Sequence, residues 1–404
     1  MLHKLTYPSL SRKALFICLM VSFLLVSASA QEVGRRFPSE MRIIKDSQTG
    51  VAITALTTAP ANDSKIYQTH PQWTPDGKYV VFNSDRGKDG KWHAFAVSTE
   101  TGDIIQLTDG EDRSLSLARK NALAYHFRGN KLIELNLGAL LAAAAENKKI
   151  KKSKEFERVL ATLPADIEGA GNFAIDAYEQ QAYFSSRQGE DKSVIYSVDF
   201  KTGKITKVIE VPFWANHLQT NPWVPGEIMY CWETGADAPQ RMWMVNADGS
   251  NNREVYVETP DEWVTHEIFM DADHILFNVM AHLPKLGTKP SGIFMLNLRT
   301  NQVKVLDQAD RGGYWHCAGT ADKKWVVGDT FDGNLYRLNV ENGKVDLLTA
   351  AHRPNSTDPF TKEPHSHHSI SPDGKWVLFN SGLLGNSDLM MVPLQDALIL
   401  EGKR

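Results

Sequence analysis

"HPQWTPDGKYVVFNSDRGKDGKWHAFAVSTETGDIIQLT", residues 70–108, decides the fold. After Pro75-Asp76-Gly77 comes an apolar run, then "WHAFAVST", then a Thr-Gly-Asp turn, then "IIQLT". Short alternating strands parted by Gly, Asn and Asp turns are hairpin signals. The same order returns in "HCAGTADKKWVVGDTFDGNLYRLNVENGKVDLLT", residues 316–349. "VIYSVDFKTGKITKVIEV", "RMWMVNADGSNNREVYV" and "GIFMLNLRTNQVKVL" repeat its strand–turn–strand ending. Four short strands in each unit of about fifty residues describe the blade of a β-propeller.

Seven units can be placed, beginning near His70, Arg113, Asn172, His217, His266, His316 and His367. The early strand "GVAITALTT", residues 50–58, has no unit of its own, and the last unit lacks an outer strand after "SDLMMVPL". Ring closure reconciles the two. The expected fold is therefore all-β: a seven-bladed β-propeller closed by an N-terminal strand. The Ala-rich segment 135–164 reads as a short helical insertion between blades two and three.

Composition fits this reading. The chain has 404 residues, 42% hydrophobic and 23% charged, as globular proteins do. Its formal charge of -4 and the lack of a basic stripe with interleaved aromatics argue against a nucleic-acid partner. The most basic run, "ENKKIKKSKEFER", reads as a solvated face. Lys4, Arg12 and Lys13, an apolar stretch, and Ala28-Ser29-Ala30 make residues 1–30 a secretory signal peptide, leaving residues 31–404 as one propeller domain. Its removal takes the charge from -4 to -7 and leaves Cys231 and Cys317, room for one bridge but not for a disulfide framework. No later run is long and apolar enough to span a bilayer, so the expected location is periplasmic or secreted, with no membrane association after cleavage.

The histidines keep phase with the repeat. His217, His266 and His316 are 49 and 50 residues apart, and His365 and His367 follow at 49 and 51. His70 lies 147 residues before His217, three periods of 49. Each is expected just ahead of the innermost strand of its blade, where it would meet the others at one mouth of the channel. His365 and His367, two apart on extended chain, share a face, and His368 faces away. Three imidazoles from His316, His365 and His367 converging on one point suit a divalent transition metal such as Mn, Fe, Ni or Zn.

"APQRMWMVNADGSNNREV", "VTHEIF", "HCAGTADKKWVVGD" and "PHSHHSISPDG" together resemble the oligogalacturonate lyases. These are seven-bladed propeller polysaccharide lyases that use a divalent metal, usually manganese. The resemblance runs from about Gly50 to Leu394 and is sharpest from His217 to Gly374. It implies metal ligation by His316, His365 and His367, and a catalytic pair at Arg241 and His266. Two departures stand out. The family's further ligand, a glutamine, is replaced by Lys362, leaving water, Glu363 or Asn355 as substitutes; and the family is commonly cytoplasmic, without a signal peptide.

The expected activity is β-elimination on a uronate-containing oligosaccharide, with oligogalacturonate first. Arg241 would grip a carboxylate through two parallel hydrogen bonds, and His266 would take the proton. His217 and His70 would bind substrate hydroxyls. Trp214, Trp232 and Trp315 stand near the same rim in sequence as candidate stacking surfaces. The rival readings are a lyase for a glucuronate-type oligomer and a non-catalytic sugar-binding or scaffold propeller of the TolB type.

Overall fold

Three turns show how the repeat is written in side chains. Thr74, Thr320 and Ser371 donate their hydroxyls to Asp76, Asp322 and Asp373 at 2.7, 2.6 and 2.6 Å. Each aspartate then accepts the backbone N–H two residues on, from Lys78, Lys324 and Lys375, at 3.1 Å. The residue between takes a left-handed conformation: Gly77 and Gly374 at φ 73° and 71°, and Lys323, lacking the glycine, at φ 58°. These turns reverse the chain between the first and second strands of their blades.

The computed structural model describes residues 33–87, 89–109, 115–148, 150, 153–167, 170–280, 291–308, 313–354 and 364–395. The expected signal peptide, the position Arg113, and the substitute ligands Asn355, Lys362 and Glu363 lie outside the described residues. The described strands form seven antiparallel sheets. Blade one runs outward through Asp63–Lys65, Tyr79–Ser84, His93–Ser98 and Ile104–Gln106. Blade seven runs through Ser369–Ile370, Trp376–Ser381 and Asp388–Pro393, and there the chain's beginning returns. Ala52–Ala55 pairs with Asp388–Pro393, and Arg42–Lys45 adds a fifth strand beyond it. Arg36–Phe37 crosses to the rim of blade one and pairs with Ile104–Gln106. The N-terminal segment thus closes the ring on blade seven and also fastens onto blade one, covering two sheet edges at once.

Among the described residues, a large apolar cluster fills each of the seven junctions between neighbouring blades. Alternate residues of one strand serve opposite neighbours. On Trp325–Thr330, Val326 packs with Leu276 and Ile293 of blade five, while Val327 packs with Val377 and Phe379 of blade seven. On Trp376–Ser381, Phe379 faces blade six and Leu378 joins Phe82 and Phe95 of blade one. Both faces of such strands are buried, which is why they read as continuous apolar runs rather than alternating ones.

The helix Leu137–Ala145 is capped by Asn136, whose side chain accepts the Ala139 N–H at 3.0 Å. Its place corrects the sequence expectation. It sits inside blade two, between Lys131–Leu135 and the outer strand Glu157–Thr162, not between blades two and three. That outer strand, "ERVLAT", is mostly solvent-facing and lacks the apolar signature that would have separated it from the lysine-rich run before it. Leu137, Leu140, Leu141 and Ala144 pack against blade one. Cys231 and Cys317 are free and buried, so no bridge joins them. No helix among the described residues is long and apolar enough to cross a membrane.

Candidate metal centre

The innermost strands of blades four, five and six are Ala215–Thr220, Val264–Phe269 and Tyr314–Gly319. Each breaks register with its neighbour, between Asn216 and Gln219, Thr265 and Ile268, and Tyr314 and Cys317. His217, His266 and His316 sit in those breaks. These three histidines are therefore within the inner strands, not ahead of them as the spacing suggested, whereas His365 and His367 do lie just ahead of Ser369–Ile370. A bulge is what re-aims them: regular strand geometry would send a side chain to one flanking blade or the other, and the extra residue turns it. His217, His266 and His367 adopt φ of 47°, 54° and 41°, a left-handed backbone that is uncommon outside glycine.

His316, His365 and His367 are brought together. One ligand nitrogen from each can be chosen so that all three lie within 4.8 Å of one another. Ring centres of His316 and His367 are 4.5 Å apart, and those of His365 and His367 are 5.5 Å apart. His316 is fully buried, and its Nδ1–H is accepted by Asp329 at 2.9 Å. Asp329 also accepts the Ser366 hydroxyl and the His316 backbone N–H. This leaves His316 Nε2 buried with no hydrogen-bond partner. A carboxylate behind an imidazole whose other nitrogen is bare is the usual support of a metal-binding histidine. Burial holds His316 and His367 well below the ordinary histidine range, and neighbouring imidazoles push the same way. Neutral imidazoles offer lone pairs, so the donor set fits a divalent transition metal. His368 faces away and puts Nε2 on the Val327 carbonyl at 2.9 Å.

Beside the cluster lies a cavity of about 170 Å³ lined by His217, Glu233, Arg241, Trp263, His266 and Trp315, among others. His266 stands 4.2 Å ring to ring from His316. Its Nδ1–H is accepted by the Trp315 carbonyl. The Nε2 lone pair is therefore free to take a proton, and burial keeps the ring neutral. Arg241 is buried, donates Nε–H to Glu267 at 2.9 Å, and has Nη1 3.8 Å from Glu233. His217 Nε2 is 3.4 Å from the same Glu233. His217, Cys231 and Glu233 form a second metal-sized group. The Arg241 cation already faces that carboxylate, however, and burial raises the Cys231 thiol far above its ordinary value.

His70 is not brought to this cluster. A turn in which the Tyr67 carbonyl accepts the His70 N–H carries the chain past the level of the ring. Tyr67 takes the place expected for His70, its ring 5.1 Å from those of both His217 and His367. Both His70 nitrogens are engaged, by Thr69 at 2.9 Å and the Phe173 carbonyl at 2.8 Å. Of the tryptophans, Trp315 stacks on His316 and lines the cavity. Trp232 packs face to face on Phe213, and Trp214 lies under the Arg187 guanidinium. Sequence reading passed over Tyr67, Glu233, Glu267 and Asp329. The last two left a signal: Glu267 follows His266 in "THE", and Asp329 interrupts the core strand "WVVGDT".

Fold and site thus define a seven-bladed propeller whose channel mouth holds a three-imidazole centre next to a buried arginine. Among known proteins, a family model described as oligogalacturonate lyase matches residues 180–296. The chain is 22% identical to the oligogalacturonate lyase of Dickeya dadantii over 400 residues, covering 90% of this chain and 99% of that protein. The oligogalacturonide lyase of Pectobacterium atrosepticum matches to the same extent. A solved oligogalacturonate lyase in complex with manganese superposes with a TM-score of 0.76 at 22% identity, over 91% of this chain and 99% of that one. The oligogalacturonate lyase of Vibrio parahaemolyticus gives 0.76 at 21% identity, over 90% and 99%.

Proposed function

We propose that this chain is a metal-dependent lyase that cleaves oligogalacturonate by β-elimination and leaves an unsaturated uronate. The observation that carries the reading is the bare, buried Nε2 of His316 among His365 and His367, with His266 and Arg241 alongside. The activity named for its relatives supports the same choice.

His316, His365 and His367 would hold a divalent ion, manganese by analogy with the solved relative. When bound, it would supply Lewis acidity toward the uronate carboxylate, whose negative charge otherwise keeps the α-proton weakly acidic. Arg241, fixed through Nε by Glu267 and with Glu233 3.8 Å from its Nη1, would offer its outer N–H groups to a substrate carboxylate. His266 accepts the α-proton at Nε2. The electron pair of that C–H bond forms the new double bond as the glycosidic C–O bond at the β carbon breaks, and the departing oxygen leaves as a hydroxyl by taking a proton from water. His217 and Trp315 would bind hydroxyls and a sugar face. His70, on its own contacts, belongs elsewhere.

The test is a spectrophotometric assay on metal-stripped protein with Mn(II) restored, using di- and trigalacturonate and a panel of other uronate oligomers. Growth of the unsaturated product's absorbance on galacturonate oligomers supports the reading. Preference for a glucuronate-type oligomer replaces the sugar. Absence of any metal-dependent signal on the whole panel overturns it. His266→Ala should keep metal affinity and lose about 10²–10⁴-fold in kcat, the usual share of a general base.

The same proposal places the mature protein in the periplasm or outside the cell, supported by Lys4, Arg12, Lys13 and Ala28-Ser29-Ala30. N-terminal sequencing of the exported protein should read from Gln31. An intact Met1 would contradict it.

A further inference from the structure

A second cavity, of about 420 Å³, opens where the inner strands end, and it shares no lining residue with the first. Tyr67 touches the histidines above, and the next residue, Gln68, lines this lower space. Gln68, Gln72 and Ser369 are 3, 1 and 6% exposed. Both amide atoms of Gln68, Oε1 of Gln72 and the Ser369 hydroxyl have no hydrogen-bond partner. Buried polar groups left this way are costly unless water or a ligand meets them. Arg119 stands exposed at the cavity's rim; Glu179 acts on its charge, but no ion pair joins the two among the described residues. The neighbour of Arg119, Lys120, is already committed to the Ala177 carbonyl at 2.6 Å. Trp73 and Trp223 complete the wall, the latter 44% exposed.

We propose that this cavity binds a small carboxylated polyol, the chemical class to which sugar acids belong. An unpaired guanidinium selects a carboxylate and can hold it by two parallel bonds. Gln68 offers both donors and acceptors, Gln72 an acceptor and Ser369 both, matching hydroxyl groups that also do both. Indole faces cover the C–H surface of such a molecule while leaving its polar edge free. The volume falls within the roughly 300–1,000 Å³ of small-molecule sites. The inference does not rest on the elimination reading, because none of these residues takes part in it.

The experiment is calorimetric titration of galacturonate, with galactose as the neutral control, into the manganese-loaded mature protein and three variants. The expected result is saturable galacturonate binding that persists in His316→Ala, where the upper centre is lost. Arg119→Ala should weaken it at least tenfold and erase the preference over galactose. Gln68→Met, close in shape and apolar at its end, should weaken it several-fold and covers the case in which Arg119→Ala fails to fold. Three results would overturn the proposal: no saturable binding, binding abolished by His316→Ala, or binding left intact by both Arg119→Ala and Gln68→Met. A lyase assay that fails on every sugar would leave the His316→Ala titration unaffected, so the two readings fail separately.

Discussion

At the scale of single residues, the centre depends on who stands behind His316. Asp329 fixes its tautomer and turns Nε2 toward His365 and His367. Asp329→Asn keeps the volume and removes the charge. It should lower metal affinity about 10–100-fold, measured by competition with a metal indicator, while leaving the fold intact. His316→Ala should abolish metal binding and turnover together.

A second residue, away from the site, sets part of the pH response. Asp388 is 1% exposed and both its oxygens lack hydrogen-bond partners. Burial first, and the nearby Asp63 next, push its carboxyl from 3.8 up to about 7. Between those values the folded protein holds a proton that the unfolded chain has released. The stabilisation is therefore complete below the unfolded value and is lost as pH rises through the folded one. Asp388→Asn should leave Tm unchanged near pH 4 and raise it near pH 8, read by thermal unfolding across that range. Neither Asp329 nor Asp388 could be assigned from sequence. An aspartate inside an apolar strand shows that something holds it, but not what.

At the scale of elements, the repeat was legible because its turns are chemical: Thr or Ser, then Asp, then a left-handed residue. The histidine phase was legible for the same reason, since a fixed blade length returns each side chain to one level of the channel. Two local features broke the count. The turn from Tyr67 to His70 put a tyrosine where the period expected histidine. The exposed outer strand Glu157–Thr162 merged in the sequence with the charged run ahead of it, so the helix seemed to end its blade. The helix itself is held by its cap and its apolar face. Asn136→Ala should cost about 1 kcal/mol, seen in denaturant unfolding, with no change at the site.

At the scale of the whole molecule, the N-terminal segment makes the ring. Without Arg42–Lys45 and Ala52–Ala55, the wholly buried strand Asp388–Pro393 would become an open edge. A chain starting after Thr58 should lose cooperative unfolding and associate, as size-exclusion chromatography and circular dichroism would show. Closure also matters for function, because blade seven supplies His365 and His367, and blade six supplies His316. The three imidazoles can meet only if those blades are held at fixed spacing. The sequence indicated closure through a strand without a blade and a blade without its last strand. It gave no sign that residues 36–37 would reach across to blade one.

The central claim is that one metal ion, held by these three histidines, is required for elimination. The most direct measurement is a titration of metal-stripped protein with Mn(II), following bound metal and lyase activity on digalacturonate in the same samples. Activity should rise in proportion to bound metal, reach its limit at one ion per chain, and be absent at every ratio in His316→Ala. Full turnover in the stripped protein, or in His316→Ala, would contradict the claim.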